Sequence, residues 1–233
     1  MKNLKVRVPM YLIGLFIMTI GIAISVKSNL GVSPVSSIPY TMTCVWGIEM
    51  GKATILFHAA LVLIQILLLR KNFKVVNLLQ VVVGVVFGYF TTFCNYCVSF
   101  LPDVDNLVIR ICMMLISTGI IAVGIFLYLP ADVIPLAGEG VMQAVSEVTK
   151  IEFPKVKVGF DCTMVIVSAV TCLLMIRGLG SVGVGTVIAA FLVGMNLGYV
   201  TRAFGKKRDK LLRKGEVQLV KEPIRMEKIS EVI

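Results

Sequence analysis

Glu139 and Asp161 have the most chemistry to offer, because both stand inside long apolar stretches. A carboxylate held at membrane depth costs roughly 2.5 kcal/mol or more, and where one is kept it usually serves function. Such a group can carry a proton or face a cation. Glu139 also has a simpler reading, since a carboxylate near a helix N-terminus satisfies backbone donors and the helix dipole. His58 is the single histidine of the chain. It is either a hydrogen-bonded packing residue or a proton-coupling group, its charge changing near neutral pH. No second histidine or cysteine lies at ligand spacing, so it forms no metal site alone.

Spacing ties these residues to others. Glu139, Gln143 and Ser146 follow at i, i+4 and i+7, which is one face of a helix, and Ser36, Tyr40 and Thr43 repeat that spacing 103 residues earlier. His58 and Gln65 are seven apart, and the same offset takes them to Asp161 and Ser168. In one reading these faces converge on a polar cavity near mid-membrane, where broken helices of two repeats meet. In the other, the serines, threonines and amides are interhelical hydrogen-bonding groups, worth about 0.6 to 2 kcal/mol each.

The elements that must position these residues follow from composition. The 233 residues are 58% hydrophobic and only 15% charged, with a mean hydropathy of +0.94. Soluble domains sit nearer a quarter charged. Apolar runs long enough to cross a bilayer recur along almost the whole chain, and one compact all-α membrane domain over residues 1–204 is expected. The net charge of +10 does not point to nucleic acid, because the basic residues sit at the ends and in short loops, where orientation signals belong. Six cysteines include one CxxC, Cys94 to Cys97, without the strand-helix setting of a redox motif, so they read as apolar helix residues. The first apolar stretch lacks a small-residue cleavage site and reads as a retained helix.

Six spans are expected: Pro9–Val26, Lys52–Leu69, Val75–Phe100, Leu107–Leu129, Val156–Ile176 and Val182–Phe204. Between them lie two shorter segments, Leu30–Trp46 and Val133–Thr149, too short and polar to cross comfortably yet too apolar for exposed loops. Re-entrant or interfacial half-helices suit them, since irregular backbone is tolerated at depth only inside protein or beside a polar cavity. The N-terminus, the RKNFK turn, Lys150, Lys155, Lys157 and the basic tail 205–233 then share one side. That places both termini in the cytoplasm. An eight-span layout would throw RKNFK outside and ranks below.

The chain also repeats. GVVFGY from Gly84 returns as GMNLGY from Gly194, a step of 110 residues, and KATILFH from Lys52 returns as KVKVGFD from Lys155, a step of 103. Each half (about 9–100 and 107–204) reads as span, half-helix, span, span. Three spans per half make the second half enter from the opposite side, which is an inverted-topology repeat. Glycines four apart let helices pack backbone to backbone, so the third and sixth spans are expected to cross at the pseudo-two-fold axis. GLGSVGVG, Gly178 to Gly185, has no P-loop lysine and no βαβ setting, so no nucleotide or other cofactor is expected.

At Gly21 to Pro34 and again at Gly178 to Gly194, the chain resembles the YczE/YyaS/YitT-like family of bacterial multi-pass inner-membrane proteins. The resemblance runs over roughly Leu12 to Phe204. Its LGxSP-type turn is Leu30 to Pro34 and its GxGT-type turn is Gly183 to Thr186; a matching LGxGP-type turn in the second half is replaced by Val133 to Gly138. The resemblance implies a multi-pass inner-membrane location and says little about activity.

The function expected is a small-solute transporter or permease working by alternating access, with proton or ion coupling. Glu139 and Asp161 would be the coupled carboxylates, and Ser36, Tyr40, Gln143, His58 and Gln65 the solute contacts, with Thr43, Ser146 and Ser168 on the same faces. Its partners are the lipid bilayer and a small polar or charged solute, with homo-oligomers and membrane partner proteins left open. The alternative is a non-transporting scaffold or accessory subunit. An intramembrane enzyme has little support, because no nucleophile-base order and no paired metal ligands stand in the sequence.

Overall fold

The computed structural model describes residues 4–178 and 180–221. Among them are eight α-helices and no strand: α1 (Leu4–Ser28), α2 (Pro34–Trp46), α3 (Met50–Leu69), α4 (Leu79–Ser99), α5 (Leu107–Ala131), α6 (Ala137–Thr149), α7 (Phe153–Ile176) and α8 (Val184–Lys221). Six of these are long and apolar enough to span a membrane: α1, α3, α4, α5, α7 and α8. Helices α2 and α6, of 13 residues each, reach only about 20 Å and cannot cross a hydrocarbon core of about 30 Å. Most boundaries move by a few residues, and the largest shifts are at the two ends of the chain. Helix α1 starts at Leu4 and carries Pro9 inside it. Helix α8 runs on through residues 205–221, so that part of the expected tail is helical, and 222–233 lie outside the described residues.

Local chemistry explains the short helices. Pro34 opens α2 at the first helical position, where a missing N–H costs nothing. Gly47 closes it in the left-handed conformation, φ 67°, and donates its N–H to the Thr43 carbonyl. Glu49 then starts α3 by accepting from the backbone of Gly51 and Lys52 at 2.8 and 3.2 Å.

The backbone recurs at the 103-residue step. Asn29 and Asp132 both leave their helices at positive φ, 51° and 49°. The residues before the short helices, Ser33 and Leu136, sit at φ/ψ −59/151° and −61/153°. Gly47 and Lys150 match at 67/14° and 60/15°, as do Glu49 and Glu152 at −57/135° and −58/135°.

Side-chain contacts fix directions. Helices α1 and α5 cross antiparallel at their glycines. A Cβ placed on Gly14 would lie 2.9 Å from the Gly124 carbonyl oxygen, and one on Gly21 would lie 3.0 Å from that of Ser117. The 103-residue step carries Gly14 to Ser117 and Gly21 to Gly124, so it exchanges these two contacts. Helix α4 runs along α1, with Phe16 against Phe90 and Thr19 against Cys94. Helix α8 runs along α5, where Asn196 bonds Thr118 and Arg208 bonds the Phe126 carbonyl. The helix starts and ends therefore fall on two sides. We call the side where α1 begins the near side and the opposite one the far side.

The glycines of α4 do not meet α8. Those glycines hold α3 instead: a Cβ on Gly88 would lie 2.7 Å from the Gly51 carbonyl oxygen, and one on Gly84 would lie 2.8 Å from the His58 Cβ. On α8, a Cβ at Gly194 or Gly198 would meet no atom of the described residues within 4 Å. The expected crossing of the third and sixth spans is thus replaced by a crossing of the first and fourth. The physical reason is that Gly14, Gly21 and Gly124 allow a closer backbone approach at the centre, in a core otherwise built from Tyr11, Leu15, Ile121 and Tyr128.

Candidate functional site

The two short helices place their first turns in the middle of the molecule. Helix α2 runs with the second half of α7: Ser37 Oγ accepts from Ser168 Oγ at 2.9 Å and donates to the Met164 carbonyl at 3.2 Å. One turn on, Thr41 lies beside Cys172 and Ser181. Helix α6 runs with the second half of α3, Gly138 beside Leu61 and Gly140 beside Gln65. A Cβ on Gly138 would lie 3.8 Å from Val35 Cγ1, so the opening turns of α2 and α6 approach each other. Around them Phe57, Leu61, Val62, Ala137, Val141 and Met164 form a second buried core. Each helix then leaves for its own side, α2 to the far side and α6 to the near side.

The LGxSP-type and GxGT-type turns meet on the far side. Gly185 N–H donates to the Leu30 carbonyl at 2.8 Å and Val32 N–H to that of Ser181 at 3.3 Å. Gly31 holds φ 102° there, and a Cβ on it would lie 2.5 Å from Thr186 Oγ1, so only glycine fits. On the near side Gln65 takes the equivalent place, donating to Gln80 Oε1 at 2.8 Å and to the Ala137 carbonyl at 3.2 Å.

Glu139 sits in the first turn of α6 and accepts a hydrogen bond from Tyr128. The Tyr128 oxygen also accepts from Leu136 N–H at 2.7 Å, and Tyr11 stacks beside its ring at 5.3 Å while donating to the Ile134 carbonyl. The carboxylate is therefore held by a tyrosine that also fixes the start of its own helix. Gln143 and Ser146, further along the stripe, line an open groove on the near side with Glu147, Lys150, Glu152 and Phe153. Ser146 also donates to the Ile151 carbonyl at 2.6 Å, which steadies the α6–α7 link.

The other expected residues spread over several contacts. Ser36 is buried and bonds Ser33, Tyr40 packs on the α1–α5 core, and Thr43 donates back to Pro39 within its own helix. Gln65 and Ser168 are buried in the contacts described above. His58 faces α4, between Phe57 and Phe87, with its Nδ1 buried and without a hydrogen bond among the described residues. Asp161 takes Lys157 at 2.9 Å on one oxygen, while its other oxygen is buried without a partner among the described residues. Gln143 and Ser146 are the two that line an open groove, while Glu139, first on the same helical stripe, is half-buried against Tyr128.

Three residues escaped the sequence reading. Tyr128 grips Glu139, Gln80 pairs with Gln65, and Ser37, not its neighbour Ser36, bonds α7. Ser37 was findable: its 103-residue mate is Gly140, a small residue placed against another helix as Ser37 is. Tyr128 had no signal, since a lone tyrosine in an apolar run reads as packing.

Comparison with known proteins agrees with the architecture. The chain is 25% identical over 198 residues to the "Uncharacterized membrane protein YczE" of Bacillus subtilis (strain 168), covering 84% of this chain and 86% of that one. No solved structure matches it. The family model described as "Family of unknown function (DUF6198)" matches residues 5–202. Eight helices, six apolar spans and that match together place the chain in the DUF6198 family, as a relative of YczE.

Proposed function

We propose that the protein is a small-solute transporter of the bacterial inner membrane, built as two inverted three-span repeats and working by alternating access. The observation that carries the reading is the meeting of the first turns of α2 and α6 near the centre. Broken helices from two repeats that meet at mid-membrane mark the solute sites of many secondary transporters. The recurring backbone angles and the exchange of α1–α5 contacts at the 103-residue step support the repeat. Both termini lie in the cytoplasm in this reading, because the near side then collects the RKNFK turn, Lys150, Lys155 and Lys157.

Glu139 is the coupled carboxylate. It can pass a proton between the near-side stripe of Gln143 and Ser146 and the central turns, with Tyr128 as its hydrogen-bond partner. Asp161 is the second coupled carboxylate, and the polar faces of α2 and α6 carry solute contacts. A thermal-shift screen of the purified protein against a broad solute library, at two pH values, tests this. A specific solute should raise the Tm of the wild type, as binding to the folded state requires. The shift should vanish in Glu139→Gln or Asp161→Asn. If no solute shifts the Tm and both variants match the wild type, a non-transporting scaffold becomes the better reading.

A further inference from the structure

The repeat leaves one packing partner unmatched. Helix α3 lies tightly on α4, through Gly51 and Ile55 on Gly88 and His58 on Gly84. The 103- and 110-residue steps carry these contacts to Pro154 and Val158 on Gly198, and to Asp161 on Gly194. In the structure those contacts are not made. Among the described residues nothing lies within 4 Å of a Cβ at Gly194 or Gly198 and one buried oxygen of Asp161 has no partner, while Val158 is 64% exposed. Helices α7 and α8 are joined on the far side, so they part toward the near side, whereas α3 and α4 are joined on the near side and stay together to their far ends.

We propose that this is one of two repeat-swapped states, and that in the other α7 closes on α8 while α3 opens from α4. This rests on the transporter reading above and names its gates. The far gate is visible in its closed form. Thr92 on α4 donates to Glu49 at the start of α3 at 2.9 Å. The same steps carry Glu49 to Glu152 and Thr92 to Arg202, an acid and a base suited to an ion pair across the closed near gate. Glu152 is now taken by Lys155 at 3.1 Å, and Arg202 is exposed. Pro154 stands where Gly51 does, so the near gate closes to the length of an ion pair and not to backbone contact. Two packings of one repeated sequence lie close in energy, which lets small differences in solute or proton occupancy select between them.

Disulfide trapping of the full chain in native membranes, in a background with the native cysteines replaced, tests the exchange. A disulfide holds its Cβ atoms about 3.8 Å apart, and no atom of Val158 lies within 4 Å of a Cβ at Gly198, so linking of Val158→Cys to Gly198→Cys reports α7 closing on α8. The expected result is that this pair links on mild oxidation, as does Asp161→Cys with Gly194→Cys. Ile166→Cys with Gly198→Cys, two turns out of register, should stay reduced. His58→Cys with Gly84→Cys, whose Cβ positions are already in contact, reports the closed far gate and should link at once. In a second variant, locking 158 to 198 should make a cysteine at Thr92 several-fold more reactive to a membrane-impermeant maleimide added from the far side.

Failure of the 158–198 and 161–194 pairs to link, while 58–84 links, would overturn the proposal. So would unchanged reactivity at Thr92 after locking. Linking between two chains through Gly198→Cys alone would assign the open face to a second copy instead. None of these readouts uses a solute. If the gates exchange and no solute shifts the Tm, the motion stands and the transporter reading falls; if a solute binds and the gates do not exchange, the reverse holds.

Discussion

In α4, Gly84 and Gly88 press on α3; in α8, Gly194 and Gly198, which carry the same G-x-x-x-G-Y motif 110 residues on, meet none of the described residues. The rest of the two halves corresponds. Helix α1 meets α4 as α5 meets α8, and α2 lies along α7 as α6 lies along α3. One helix pair is therefore the point at which a repeated sequence has taken two forms. A glycine motif permits close packing and does not compel it, because between helices in lipid the gain is dispersion and hydrogen bonding without a hydrophobic drive. Whether the motif is used depends on what else each helix must touch. Helix α7 is committed to α2 by Ser37 and Ser168, and α8 to α5 by Asn196 and Arg208.

The comparison can be broken most sharply at the glycines. Gly88→Leu must push into Ile55 and the Gly51 carbonyl, where a Cβ already lies at 2.3 and 2.7 Å. It should destabilise the folded protein by about 1–3 kcal/mol, the usual cost of overpacking. Gly198→Leu should leave the detergent-solubilised Tm near that of the wild type, because its Cβ meets open space. Equal losses in the two variants, read by fluorescence-detected size exclusion after heating, would mean that α8 is packed as α4 is.

A second contrast lies at the starts of the short helices. Tyr128→Phe removes the donor to Glu139 and leaves Leu136 N–H without its partner. A buried unsatisfied donor costs about 1–3 kcal/mol. The position 103 residues earlier is Ser25, whose hydroxyl among the described residues bonds the Gly31 carbonyl and a methionine sulfur. Ser25→Ala should cost nearer 0.6 kcal/mol, the average for a hydrogen bond between membrane helices. The Tm difference between the two variants measures how far the halves have diverged at this turn.

The smallest effect concerns the far-side loop. Lys27 bonds Asp103 at 2.7 Å and holds its carboxyl below the usual range. A lowered carboxyl pKa in the folded state stabilises above the unfolded value, and the contribution is lost as pH falls through the folded one. Asp103→Asn should therefore lower the Tm slightly at neutral pH, and the gap from wild type should close on acidification. Asp103 is 95% exposed, so added salt should shrink the gap as well. A gap that widens with acid would mean that Asp103 does not act through Lys27.

Much of the fold was legible because it is set locally. Apolar length marked the spans, and the short, half-polar segments Leu30–Trp46 and Val133–Thr149 marked the places of α2 and α6. Glu139 was legible as an acid in an apolar run. The contacts of the polar stripe were not, because a hydroxyl or amide on a helix is satisfied by whichever neighbour the packing supplies. Ser36, Thr43 and Ser168 found nearby carbonyls and hydroxyls, and Gln65 found Gln80.

By itself the sequence determined the six apolar spans and the two short helices between them, and it carries the 103-residue step at which the backbone angles of Gly47 and Lys150 recur. These depend on hydrophobic length and on φ/ψ preferences, which act within a few residues. Only the tertiary structure decided that Gly14 and Gly124 form the central crossing, that Tyr128 holds Glu139, and that α3 lies against α4 while α7 stands off α8. Such choices are made by competition among helix faces of nearly equal merit, and only the assembled bundle determines which of them is covered.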